Sequence, residues 1–123
     1  PVSALGRAYL AALDEAERQP LIDSLRLMRG PEWESVAPSM HRAIDEARTR
    51  GYCLSLGEFH REINSVSVAL CGPTGEIMAL NCGGAAFTFT EQRLRDELAP
   101  RLRSIAQAIA QAIGGRLPAL SPP

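Results

Sequence analysis

Residues 63–71, Ile-Asn-Ser-Val-Ser-Val-Ala-Leu-Cys, and 77–83, Ile-Met-Ala-Leu-Asn-Cys-Gly, alternate with period two on either side of Gly72-Pro73-Thr74-Gly75. Alternating segments joined by a Gly- and Pro-rich turn predict an antiparallel β-hairpin. Its two faces differ chemically. Val66, Val68 and Leu70 with Met78, Leu80 and Cys82 form an apolar side for helices to cover. The opposite side carries Ile63, Ser65, Ser67, Ala69, Ile77, Ala79, Asn81 and Gly83, which are small and partly polar. Such a face is either the solvated side of a one-faced sheet or the floor of a small-molecule pocket. Short side chains leave room for a ligand there, and Ser65 and Asn81 can orient a polar group in it. Whether those two lie side by side depends on the strand register.

Helical patterns and one further strand flank the hairpin. Tyr52 to Leu56 is a short third strand that carries Ser55. Before it, Ser3 caps a helix over 4–13 with Leu5, Tyr9, Leu10 and Leu13 at helical spacing, and Asp14 and Glu15 end it. Pro20 opens a short second helix closed by Gly30-Pro31, and Trp33 falls in a connector. A third helix over 38–50 shows a Met40, Ile44, Ala47 stripe, with Gly51 at its C-cap. After the hairpin, Thr90 caps a long helix to Ile113 with Leu94, Leu98, Leu102, Ile105 and Ile109 on one face. Pro100 predicts a kink in it by removing a donor near residue 96. The Pro-rich tail from Leu117 to Pro123 is predicted to be disordered. This order of elements is α+β: an antiparallel sheet with helices packed mainly on one face.

Composition limits the function. A chain of 123 residues fits a single domain, and 46% hydrophobic residues exclude a disordered polymer. No apolar run approaches the ~18 residues of a membrane span. All 13 basic residues are Arg, spread among 14 acidic ones at net charge −1, so a nucleic-acid face built by this chain alone is not expected. Cys53, Cys71 and Cys82 have neither metal-knuckle spacing nor the pattern of a disulfide framework. A reducing cytoplasm is the expected compartment, and no signal-peptide order is present at the start of the sequence. Without GxGxxG or GxxxxGK[ST], nucleotide cofactors have no support, and no cofactor is expected.

Catalytic constellations are equally sparse. His41 sits at a surface position of the third helix, and His60 lies in the charged loop Glu58-Phe59-His60-Arg61-Glu62, where Glu58 and Glu62 read as solvated charge. A nucleophile pair of Cys82 with His60 lacks supporting spacing, and Cys82 falls on the apolar face. The free N–H groups at Ala4, Leu5 and Gly6, at the positive end of the first helix, suit a carboxylate if that end meets the sheet. Three readings stay open: a ligand-binding domain, a small Cys/Ser-His hydrolase, or a dimerisation module whose mixed face is filled by a partner.

The segment Ser-Ala-Leu-Gly-Arg-Ala-Tyr-Leu-Ala-Ala-Leu at 3–13 resembles the one that opens the ligand pocket in effector-binding domains of the IclR family of bacterial transcriptional regulators. Arg50-Gly51-Tyr52, Gly57-Glu58, the strand 63–70, Gly75-Glu76-Ile77 to Gly84, and Thr90 to Gly114 keep the family's order and spacing, so the likeness spans about 3–115. The resemblance implies a GAF-like α+β effector domain over 1–115 with a Pro-rich tail at 116–123. It implies that the first strands and helix of the domain, and a DNA-binding winged helix-turn-helix, precede this sequence and lie outside it. The implied ligand is a small organic acid held by the amides of Ala4 and Leu5 before Gly6, with Ser55, Ile63, Ser65, Asn81 and Gly83 on the sheet. An acidic residue is common in the family where Ser55 stands, and Asn81 with Gly83 replaces a Ser-x-Ser pair. The remaining implications are a homodimer or tetramer and DNA contact only through the outlying domain; the residue spacing itself points to no metal and no catalytic residue.

Overall fold

The computed structural model describes residues 3–122. Its elements are α1 (Ala4–Ala12), α2 (Glu15–Arg29), a 3-10 turn (Gly30–Glu32), α3 (Trp33–Arg50), β1 (Cys53–Leu56), β2 (Ile63–Cys71), β3 (Ile77–Ala85), α4 (Glu91–Arg93), a π-helical turn (Leu94–Leu98) and α5 (Ala99–Ile113). The three strands form one antiparallel sheet in the order β1-β2-β3.

Sheet and helix boundaries follow local chemistry. Gly75, at φ 89°, makes the hairpin turn, and its N–H donates to the Gly72 carbonyl. Ser3 Oγ accepts from the Gly6 amide to start α1. Asp14, expected to help end the first helix, instead caps the second by accepting from the Glu17 amide at 2.9 Å. That cap lets α2 begin at Glu15 and run through Pro20. Trp33 is not in a connector: it opens α3 and is buried with Met40 and Ile44. Pro38 consequently lies inside α3 rather than at its start.

Pro100 produces a wide turn in place of a simple kink. A proline ring collides with the carbonyl four residues back and offers it no donor, and the π-helical turn Leu94–Leu98 immediately before α5 relieves both conflicts. The extra residue rotates the faces of α5 relative to α4. Leu94, Ala99, Leu102, Ala106 and Ala110 face the sheet, while Ile105, expected on the inner stripe, is 53% exposed.

The α+β class holds, and three helices gather on one side of the sheet, but that side is the mixed face rather than the apolar one. The apolar side of the hairpin is covered as expected, but by α5, whose alanines and Leu102 meet Leu54, Val66, Val68 and Leu70. α1 and α3 cover part of the other side, with Ala4, Ala8 and Ala43 against Cys53 and Ala69. α2 packs outside them, its Ile22 joining Leu10, Leu13, Trp33, Met40 and Ile44. The alternation could not reveal this because alanine is a weak hydrophobic marker, yet it is what lets a helix approach a sheet closely.

The tail is also ordered within the described residues. Arg116 pairs with Cys71 through both backbone groups, at 2.7 and 2.8 Å, and the Ser121 amide donates to the Arg48 carbonyl at 2.7 Å.

Candidate functional site

The register places the small, polar side chains of the sheet in two neighbouring cross-strand rows. Ser55 faces Ser65, which faces Gly83; one row on, Cys53 faces Ser67, which faces Asn81. Ser65 and Asn81 are therefore diagonal neighbours on one face, not direct partners. Ile63 lies farther along the same face, opposite Ala85. Ser55, Ser65 and Ser67 are buried, whereas Asn81 and Gly83 on the edge strand β3 are exposed. Gly83 has a packing reason to lack a side chain: a methyl there would lie 2.6 Å from Ser65 Cβ and 2.8 Å from the Asn64 carbonyl oxygen.

The start of α1 lies directly above the second of these rows. Cys53 Sγ donates to the Ala4 carbonyl at 3.3 Å, and Ala4 packs with Ala8, Cys53 and Ala69. Burial pushes the Cys53 thiol up to about 12, against a lesser opposite pull from Arg7. The body of α1 extends over Ala69. Of the amides expected to bind an anion, that of Gly6 is taken by Ser3 Oγ at 3.2 Å. Those of Ala4 and Leu5 are first-turn donors without an intrahelical acceptor.

A buried charge fixes this helix in place. Arg7 is 1% exposed and donates to the Leu54 carbonyl at 3.1 Å, to Ser39 Oγ at 3.1 Å and to both carboxylate oxygens of Glu58, at 3.1 and 2.5 Å. Ser39 Oγ also donates to Glu58 at 2.8 Å. Desolvation tends to raise the Glu58 carboxyl, but hydrogen bonds from Arg7 and Ser39 outweigh it and hold the group below its ordinary range. The loop expected to carry solvated charge thus contributes a carboxylate that clamps α1, α3 and β1 together. One signal in the sequence points here: Arg7 stands three residues after Ala4 and three before Leu10, on the buried stripe of its helix.

Beside the clamp, Leu5, Gly6 and Tyr9 of α1, Leu21 and Leu25 of α2, and Ala79 of β3 line an apolar groove with a cavity volume of about 570 Å³. Ala79, Asn81 and Gly83 share one face of β3, so the groove floor continues along the strand toward the two exposed site positions.

The catalytic alternative gains nothing from the geometry. Cys82 packs against the core beneath α5, and His60 Nδ1 accepts from the Glu62 amide at 3.3 Å in an exposed loop. Among the described residues, no cluster of His, Cys, Asp and Glu forms a metal site, and no helix is long and apolar enough to cross a membrane.

These features define a class: an α+β domain in which the open end of a buried-arginine helix meets a sheet face of small polar residues. Residues 2–111 match the family model described as the bacterial transcriptional regulator IclR C-terminal, and the chain belongs to that family. The fold is similar to the crystal structure of an IclR family transcriptional regulator from Brucella abortus, with TM-score 0.86 and 37% identity over 90% of this chain and 42% of that one. It is similar to the Thermotoga maritima IclR structure, with TM-score 0.77 and 25% identity over 92% of this chain and 46% of that one. A third likeness, with TM-score 0.70 and 25% identity over 88% of this chain and 65% of that one, is to a double mutant of the PobR transcription factor inducer-binding domain from Acinetobacter in complex with 3-hydroxybenzoic acid. Among curated protein sequences none matches. The chain spans less than half the length of the Brucella and Thermotoga proteins. The family and these neighbours are transcriptional regulators, not enzymes.

Proposed function

We propose that this chain is the effector-sensing part of a cytoplasmic bacterial transcriptional regulator, and that its ligand is a small organic acid. The observation that supports the reading is that the start of α1 packs on the sheet at Cys53 while Leu5 and Gly6, in its first turn, line the apolar groove. Two convergent N–H groups at a positive helix end suit a carboxylate. Ser55, Ser65 and Asn81 supply polar contacts, Ile63 an apolar wall, and Gly6 and Gly83 the space for close approach. An aromatic or aliphatic body then lies along the groove past Leu5 and Tyr9. The similar PobR domain, solved with a hydroxybenzoic acid, supports an acid of that size.

In this reading a winged helix-turn-helix domain outside the chain contacts DNA, and homodimers or tetramers carry the signal. Among the described residues the outer edge of β3 has no partner strand, and in this reading the preceding strands of the domain add on there. A ligand bridging α1 and the sheet stabilises one arrangement of the assembly, and about 1–3 kcal/mol of coupling is enough to change operator occupancy. Isothermal titration with a panel of small carboxylates that includes 3-hydroxybenzoate tests the proposal. Saturable binding that Ser65→Val and Asn81→Leu weaken supports it. Absence of binding by every acid, or affinity unchanged in both variants, overturns it.

A further inference from the structure

We propose a second, separate anion site at the far end of α1, beneath the C-terminal tail, that takes a small dianion such as a phosphate or a dicarboxylate. Between the last turns of α1 and α3, strand β2 and the tail lies a cavity of about 240 Å³, lined among others by Arg48, Tyr52, Ser67, Ala69, Arg103 and Arg116. None of the sheet positions assigned to the effector, and neither Ala4 nor Leu5, belongs to this lining.

Its most telling feature is Arg103. The guanidinium lies flat against Gly51, where a methyl would come within 2.7 Å of Nε and 2.8 Å of Cζ. Nε is fully shielded from solvent and has no hydrogen-bond partner. Buried polar atoms almost always have partners, and a charged one left alone is costlier still. Neither Arg48 nor Arg116 has an ion-pair or side-chain hydrogen-bond partner among the described residues, although seven other ion pairs occur there. The one acid at the cavity, Asp14, already accepts from the Glu17 amide as the cap of α2. Three arginines against one engaged carboxylate leave a formal excess of two positive charges, which a dianion matches.

Backbone polar groups also border the cavity, at Ala69. Residues at alternate positions of a strand direct N–H and C=O to the same edge. Cys71 directs both groups to Arg116, so Ala69 faces that same edge, in the gap between the end of the β1 pairing at Ser67 and the bridge at Cys71. At about 240 Å³ the cavity has room for a compact anion.

The experiment is a thermal melt and isothermal titration of the chain with inorganic phosphate and with succinate. Ionic strength is held constant with sodium chloride, and acetate serves as the monoanion control. Either dianion should raise Tm saturably, and the one that acts names the headgroup. Arg103→Met should weaken that binding about 10- to 100-fold, the worth of a charge-assisted hydrogen bond. Without added anion the same variant should melt no lower than the parent, because no Nε is then left buried without a partner; a purely structural arginine would give a lower Tm. Arg116→Gln should weaken binding in the same direction, and Ser65→Val should leave it unchanged, which separates this site from the proposed effector site. No effect of either dianion, an equal effect of acetate, or dianion binding that survives Arg103→Met overturns the proposal.

Discussion

Arg7 and Glu58 meet at 2.5 Å, with the guanidinium 1% exposed and the carboxylate side chain 33% exposed. The asymmetry matters. The arginine was stripped of water when α1 settled on the sheet, so its stability in place depends on a partner that is itself only partly screened. Glu58→Gln keeps the shape but removes the counter-charge. We expect it to lower stability by about 1–3 kcal/mol, short of the figure for a fully buried pair because solvent screens Glu58. Urea denaturation of both proteins at neutral pH checks this; an unchanged midpoint would mean that the clamp is dispensable.

The same pair predicts a pH dependence of definite sign. Glu58 has a folded-state pKa below its ordinary value, so its ionised form is favoured by folding. The resulting stabilisation is fully present above the unfolded carboxyl pKa of about 4.3 and disappears as pH falls through the lower folded value. Measured against pH, the stability gap between the parent and Glu58→Gln should therefore be constant near neutrality and shrink on acidification below about pH 4.3. A gap that widened in acid would contradict the assigned sign.

Thiol chemistry should rank the three unpaired cysteines by burial. Cys53 is fully buried, its pKa is pushed up to about 12, and its Sγ is engaged with the Ala4 carbonyl. Cys71 is also buried, within the strand that pairs with the tail, whereas Cys82 is only partly covered. With iodoacetamide at pH 8, peptide mapping should find Cys82 labelled first and Cys53 only after denaturant is added. Prompt labelling of Cys53 in the native protein would show that α1 lifts off the sheet readily.

Much of this architecture is written as periodicity. The hairpin, its two chemically distinct faces and its strand start at Ile63 follow from alternation of valine and leucine with small residues. Thr90 does cap the last helix, its hydroxyl accepting from the Arg93 amide at 3.2 Å. What alternation cannot express is contact made by alanine or by backbone. The cover that α1 and α3 lay over the mixed face is built from Ala4, Ala8 and Ala43, whose spacing carries almost no hydrophobic signal. The tail is held by backbone bonds at Arg116 and Ser121, to which side-chain pattern is blind. Arg7 escapes a reading of the sequence for the opposite reason: a charge on a buried stripe reads as an interruption until its partner 51 residues away is seen. As for the candidate site, alternation groups its sheet positions on one face, while only the register sets Ser65 against Gly83 and Asn81 against Ser67.

Gly115 should be the hinge on which the tail's attachment turns. A methyl at this position would sit 2.1 Å from the Cys71 carbonyl oxygen, which itself accepts from the Arg116 amide. Backbone on both sides leaves no flexible side chain to yield, so Gly115→Ala must displace the tail or bend the end of β2. The expected loss is about 1–3 kcal/mol, in the range of overpacking a tight site. It should come with faster amide exchange at Arg116 and Ser121, whose partners are Cys71 and Arg48. Gly75→Ala supplies the contrast. Gly75 has φ 89° and open space around it, so its substitution costs only the left-handed conformation, about 1–2 kcal/mol, and exchange in the tail stays as it was. Equal loss of tail protection in both variants would show that the tail responds to global stability and not to its bridge with Cys71.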